Sequence, residues 1–527
     1  METGQGPEIE YIECTGGVQY MLMFDSITAA RLDAIGKLGF TNPFGAERPR
    51  LEAVIVGAVA ARSAPWSRSL DWPIGDPTVA AIAEEADKQM SAAQAALERG
   101  EKPSARDVEL IQGLALYVLY YRYDAAFFAL ITANGQAERV AFFEAFERDF
   151  AELFARVEPP PWAREPARVF ALFFQTRRAF HFVFHQILGT SHAVSSLRET
   201  VWESLFTHDP WRYLAHLQGR MHESSTLILG PTGTGKELVA SAIGLSAFIP
   251  FDAARRQFTR NFRTAFHPLH LAAMSQQLIE SELFGHKKGA FTGAVADRMG
   301  HLEGRSACDT IFLDEIGELD PAVQVKLLRV LQSREFHRLG DSEPRAFGGK
   351  VVAATHRDLS AALTEGRFRE DLYYRLCSDV VRTPPLRDQI QGDTSELGHL
   401  VSVLIQRNLG LADRATLDEI MSGIERSVGS DYAWPGNIRE LDQCVRNLLI
   451  HGRYLPPRRH AAADGLEPLF QQMRTAQVDL DQVISSYSRW VYEREGSYAR
   501  AGQTLGVDRR TVAKHVGEAP RSPEHGE

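Results

Sequence analysis

The segment Gly230-Pro231-Thr232-Gly233-Thr234-Gly235-Lys236 stands between a short apolar run, Thr226 to Leu229, and a helical pattern that opens at Glu237. That is the context a phosphate-binding loop needs. Glycines let the backbone curl with its N–H groups inward, a helix start favours negative charge, and the lysine reaches the β and γ phosphates. Glu237 occupies the place where the generic loop has a Ser or Thr that contacts Mg2+. Further along, a second apolar run, Thr310 to Leu313, ends in Asp314-Glu315. A carboxylate at a strand tip beside such a loop can hold Mg2+ through water, and its neighbour can orient an attacking water. Asp314 is therefore expected on the metal and Glu315 on water activation, with ATP and Mg2+ as the cofactors. Taken alone, Asp-Glu after an apolar run is an ordinary solvated strand end. The loop upstream gives the pair its chemical meaning.

Positioning such groups takes a sheet. Three β-branched runs, Thr226 to Leu229, Thr310 to Leu313 and Lys350 to Ala354, alternate with helical segments, which predicts βαβ units and a parallel sheet covered on both faces. Before it, residues 1–186 read as mainly helical after an opening segment that could hold strands around Tyr11 to Phe24. Val108 to Thr132, Glu138 to Val157 and Arg168 to Leu188 carry long, Phe- and Tyr-rich apolar patterns, and Pro159-Pro160-Pro161 ends the second. After Pro384-Pro385 the pattern is helical to about Gly452. The expected divisions are 1–186, a regulatory region; 187–385, the α/β core; 386–452, a helical lid; 453–469, a linker; 470–517, a helical reader; and 518–527, a disordered tail.

The hexapeptide Gly289-Ala290-Phe291-Thr292-Gly293-Ala294, preceded by Glu280 to His286, resembles the signature loop of bacterial sigma-54-dependent transcription activators, a branch of the AAA+ ATPases. The resemblance implies that this loop contacts sigma-54, with Phe291 and Thr292 at its tip, the aromatic side chain outward. It extends in order. Gly304 to Leu359 resembles the family's Walker B, helix and sensor I block, including Thr355. Gly366 to Leu376 resembles its arginine-finger segment, which implies that Arg369 and Arg375 reach a neighbouring subunit's nucleotide. Trp434 to Leu441 resembles the sensor II helix, where Asn437 is a plausible N-cap and Arg439 would face phosphate. Glu237 is the family's usual residue. His270 and His356 stand where the family has Asn, and Phe248 to Thr264 is longer than the family's connection.

Near the C-terminus, Ser497 to Leu505, a Gly506-Val507-Asp508 turn and Arg509 to Val516 read as helix, turn, helix, with Asp508 capping the second helix. Ala499, Ala501, Leu505, Val507, Val512 and Val516 would form the apolar side. Arg500, Arg509, Arg510, Thr511, Lys514 and His515 are the candidate DNA contacts, in a segment of net charge +3 within a chain of formal charge −10. The segment also resembles the Fis-like helix-turn-helix of the same activators.

Composition narrows the class. With 527 residues, 44% hydrophobic and 24% charged, the chain is a multidomain globular protein. Four dispersed cysteines without a CxxC pair argue against disulfide or cysteine–zinc scaffolds. No basic-then-apolar leader opens the sequence, and Val169 to Leu188 carries Arg177, Arg178, His181 and His185, so a cytoplasmic protein without a membrane partner is expected. His181 and His185 could share a metal from one helix face, but no third ligand is apparent and packing is the better expectation. No phosphoacceptor pocket is recognisable in the N-terminal region. The expectation is a mainly helical N-terminal region, an AAA+ P-loop core with a helical lid, and a helix-turn-helix. By resemblance the chain forms a hexameric ring and remodels the sigma-54 RNA polymerase holoenzyme from upstream double-stranded DNA. The alternative is a nucleotide-gated DNA-binding repressor or scaffold.

Overall fold

The computed structural model describes residues 23–57, 77–133, 139–391, 394–430, 432–456, 466–474, 478–495 and 497–516. The strands expected around Tyr11 to Phe24, most of the 453–469 linker and the 518–527 tail lie outside the described residues. The chain falls into two compact units, Met1–Tyr454 and Leu455–Glu527.

Among its described residues the first unit opens with the helices α1 (Ser26–Leu38), α2 (Glu47–Val56), α3 (Pro77–Glu98), α4 (Ala105–Thr132), α5 (Phe143–Leu153) and α6 (Pro166–Gln186). Local chemistry sets their starts. Asp25 Oδ1 accepts from Thr28 N at 2.6 Å to cap α1, Ser104 and Asp107 form a reciprocal capping box on α4, and α6 opens on Pro166. Helix α4 has the length and apolar composition of a membrane span, yet half of its most apolar stretch is buried in the fold, against α1, α3 and α6. Helices α7 (His192–Phe206) and α8 (Pro210–Arg212) lead into the core.

There, β1 (Thr226–Leu229) is followed by α9 (Lys236–Gly244), the short strands β2 (Phe251–Asp252) and β3 (Gln257–Phe258), and β4 (Phe266–His270). Next come α10 (Gln276–Phe284), β5 (Gly285–His286), β6 (Arg298–Met299), β7 (Thr310–Asp314) and α11 (Pro321–Ser333). A second hairpin, β8 (Glu335–Phe336) with β9 (Arg345–Ala346), precedes β10 (Lys350–Thr355), α12 (Leu359–Thr364), α13 (Glu370–Leu376) and β11 (Asp379–Arg382). Five of these strands form one parallel sheet in the order β11-β1-β10-β7-β4. All six residues of β10 are buried, as the middle strand of a sheet covered on both faces must be. Helices α6, α7 and α9 cover one face; α10, α11 and α13 cover the other.

The N-terminal helices share a core with the α/β region. The long Phe248 to Thr264 connection inserts Phe251 and Phe258 of its β2–β3 hairpin, and Phe262 of the turn after it, among Phe143, Phe170 and Phe174. Phe251 lies 4.6 Å from both the Phe143 and Phe170 rings, and Phe258 stacks on Phe174 at 4.3 Å. Offset and edge-on aromatic pairs of this kind add to simple area burial. Helix α6 also serves the end of α9: Gln175 donates to Ser246 O at 3.2 Å and the fully buried Arg178 donates to Ala247 O. Both carbonyls lie just past the Leu245 cap of α9, in the chain that leaves the helix. Burial lowers Arg178 to about 9.

The lid comprises α14 (Leu386–Ile390), α15 (Thr394–Leu409), α16 (Arg414–Val428) and α17 (Asn437–His451), packed around Leu400, Leu404, Ile420, Leu441 and Val445. The second unit contains α18 (Glu467–Arg474), α19 (Leu480–Glu495), α20 (Tyr498–Leu505) and α21 (Arg509–Val516) around Val491, Ala501 and Val512. Leu505 and Val516 pack there as expected. Ala499 and Val507 do not: Ala499 is exposed in the first turn of α20, and Val507 is exposed in the turn after Gly506 (φ +67°).

Candidate functional site

The phosphate loop springs from the end of β1 and winds into α9. Gly233 and Gly235 have φ of +81° and +88°, which an L side chain adopts only with strain. A Cβ on Gly233 would also stand 2.3 Å from Gly436 O of the lid, so the loop and lid touch backbone to backbone. Lys236 is buried, with Nζ donating to Gly230 O at 3.0 Å and Pro231 O at 3.1 Å. Burial lowers its pKa, opposed by the negative charges of Glu315 and Asp314.

Thr232, Gly233, Thr234, Gly235, Lys236 and Glu237 line a cleft of about 350 Å3 together with Asp314, Glu315 and Arg439. Gly230 and Pro231 contribute carbonyls rather than walls. Thr234 Oγ1 pairs with Thr383 Oγ1 at 2.6 Å beneath the loop.

Glu315 follows β7 in a left-handed conformation, φ +58°, and three groups hold its carboxylate. Thr355 Oγ1 and His356 N each donate to Oε2 at 3.2 Å, and His356 Nδ1 lies 2.8 Å from Oε1. Burial acts to raise its pKa, but the His356 hydrogen bonds and the Lys236 charge outweigh it and hold the acid below its ordinary value. A deprotonated carboxylate beside the lysine suits a group that polarises water. Thr355 thus touches the carboxylate and is not itself a wall of the cleft. His270 Nδ1 stands 3.3 Å from Asp314 Oδ2 and its Nε2 4.0 Å from Glu237 Oε1, so it faces those two acids. Asp314 lines the cleft with its side chain 23% exposed, which fits a carboxylate that holds a hydrated cation.

Asn437 is not an N-cap. The cap position falls on Gly436, and Asn437 is the first residue of α17, with φ +54°. Its buried carboxamide instead donates to Thr232 O at 2.9 Å and accepts from Leu386 N at 2.8 Å, linking phosphate loop and lid. Tertiary partners outcompete the local capping bond. Arg369 and Arg375 do not line this chain's cleft; Arg369 is 45% exposed and pairs with Asp371 at 2.7 Å.

In the Gly289 to Ala294 loop, Gly289 N donates to Ala294 O at 2.9 Å and Ala290 N to Lys287 O at 3.1 Å, closing a tight turn. Thr292 is exposed. Phe291 is half-buried rather than outward, because its ring meets His286 edge-on at 4.9 Å. Arg500, Arg509, Arg510 and Lys514 are exposed, Thr511 and His515 partly so. Asp508 Oδ1 accepts from Arg510 N at 2.8 Å at the start of α21.

Sequence reasoning missed the cleft's far end: Gln186, Ile187 and Leu188 after α6, Val194 and Leu197 on α7, and Gln389, Leu404, Arg407, Ile438 and Asp442 of the lid. The apolar run ending at Gly189, just before a new helix start, is the one signal that could have marked this wall. His181 and His185 contact each other and Phe128, Phe182 and Phe184, and no third metal ligand gathers with them among the described residues.

Residues 212–381 match the family described as the sigma-54 interaction domain. The Nif-specific regulatory protein of Azotobacter vinelandii is 44% identical over 227 residues, 43% of this chain and 40% of that protein. The transcriptional regulatory protein ZraR of Escherichia coli K12 is 36% identical over 297 residues, 55% of this chain and 62% of that protein. The chain thus spans roughly half the length of these relatives. Among solved structures, NtrX from Brucella abortus in complex with ATP aligns over 70% of this chain and 78% of that chain, at 21% identity and a TM-score of 0.38.

Proposed function

We propose that the protein is an ATP-driven transcription activator that binds upstream DNA and remodels the sigma-54 RNA polymerase holoenzyme to open promoters. The observation that carries this is Glu315, deprotonated and held by Thr355 and His356 across from Lys236, inside a domain that matches the sigma-54 interaction family. Lys236 and the inward N–H groups of the loop bind phosphate, Arg439 approaches it from the lid, and Glu315 orients and deprotonates the attacking water. Mg2+ held through Asp314 would neutralise charge on the phosphates. Arg369 and Arg375, which do not line their own cleft, serve the cleft of an adjacent subunit in a ring. Arg500, Arg509, Arg510, Thr511, Lys514 and His515 present the DNA-reading surface of α20 and α21.

The test is in vitro transcription from a sigma-54 promoter. Open complexes should form with ATP and not with a non-hydrolysable analogue. Equal activation with both, or with neither, would reject the reading.

A further inference from the structure

The strap from the end of α6 into α7, residues 186–190, is held from two sides by buried charged groups. Arg198 on α7, 2% exposed, donates Nη2 to Ile187 O at 2.6 Å and to Gly189 O at 2.8 Å, and Nε to Ile187 O at 3.1 Å. From the lid, Glu396 on α15 is 0% exposed, and its Oε2 accepts from Thr190 N at 2.7 Å and Thr190 Oγ1 at 2.5 Å. Its Oε1 has no hydrogen-bond partner and would stand 2.4 Å from a Cβ on Gly189, where φ is +122°. The carboxylate is therefore pressed against the strap at a residue that must be glycine.

A buried carboxylate is costly unless it is well satisfied, and a leucine would pack in a lid helix without that cost. What Glu396 adds is geometry. The strap it grips supplies Ile187 and Leu188 to the apolar end of the cleft, facing Leu404 of the same lid helix and Ile438. We propose that Glu396 is a positioning residue for nucleotide binding. By anchoring Thr190 it ties lid to strap, fixes the wall of Ile187 and Leu188, and sets the affinity for the adenosine end of the nucleotide. This rests on the reading of the cleft as an ATP site.

The test uses the full chain and ADP as the probe, with ATP hydrolysis measured in parallel. Glu396→Ala should raise the Kd for ADP and the KM for ATP by roughly tenfold, as expected for loss of charge-assisted hydrogen bonds, while kcat stays within about twofold. Glu396→Gln, which keeps an acceptor for Thr190, should restore most of the affinity. Thr190→Val should weaken ADP binding in the wild-type background and add little to Glu396→Ala. An unchanged Kd in Glu396→Ala, or equal losses in Ala and Gln variants with a matching drop in melting temperature, would overturn the proposal alone. A wild-type chain that binds no ADP would overturn the ATP reading as well.

Discussion

Glu315 combines a strained backbone with a carboxylate gripped by three groups. The left-handed conformation costs a non-glycine residue roughly 1–2 kcal/mol, and here it aims the side chain at Thr355 and His356. Glu315→Gln should therefore bind ATP with near wild-type affinity and lose at least about a hundredfold in turnover; steady-state hydrolysis and nucleotide binding measured on one preparation check both. Thr292, exposed at the tip of the Gly289 to Ala294 turn, has no partner role in the cleft. Thr292→Ala should leave ATP hydrolysis unchanged and abolish open-complex formation, and a variant that still activates transcription would remove this loop from the mechanism. Lys236 and Glu315 were legible in sequence because glycine spacing and a strand-ending acid are local signals. Asn437 was misread because its carboxamide bonds Thr232 and Leu386, partners that local sequence does not reveal.

At the scale of elements, the phosphate loop and the lid meet where neither has room for a side chain. Gly233→Ala would introduce a Cβ 2.3 Å from Gly436 O at a φ of +81°, so nucleotide affinity should fall more than tenfold while the sheet stays folded. Isothermal titration with ADP alongside far-UV circular dichroism separates the two effects. The strands β1, β7 and β10 could be read from sequence because strands buried on both faces are continuous apolar runs. The β2–β3 hairpin could not. The Phe248 to Thr264 connection around it stood out by its length, but its purpose lies in Phe251, Phe258 and Phe262 meeting rings from helices far earlier in the chain, as Phe174 and Phe258 show. No periodic pattern encodes such pairs. The faces that helices bury were harder to read than their existence, as exposed Ala499 on α20 illustrates.

For the molecule as a whole, the shared aromatic core changes what deletion of residues 1–186 would report. Removing them uncovers Phe251, Phe258 and Phe262 and takes Arg178 from beside the end of α9. The truncated chain should aggregate unless Phe251, Phe258 and Phe262 are made polar, which light scattering would show; a monodisperse truncation with native residues would refute the shared core. The same region carries an acid-sensitive site. Burial pushes His181 down to about 4, aided by the neighbouring charges of His185, Arg177 and Arg263. Below the ordinary imidazole value of about 6.5, the unfolded chain takes up a proton that the folded chain refuses until about pH 4. Stability should therefore fall as pH drops through that window, and His181→Leu should flatten the dependence in chemical-denaturation curves.

A phenylalanine-bearing connection that completes another region's interior has a consequence for protein engineering. The N-terminal helices transplanted onto a different α/β domain would arrive with an open seam along α5 and α6 unless the donor connection travelled with them. Chimaeras cut at the start of α7 should fail, and those that also graft residues 248–264 should succeed.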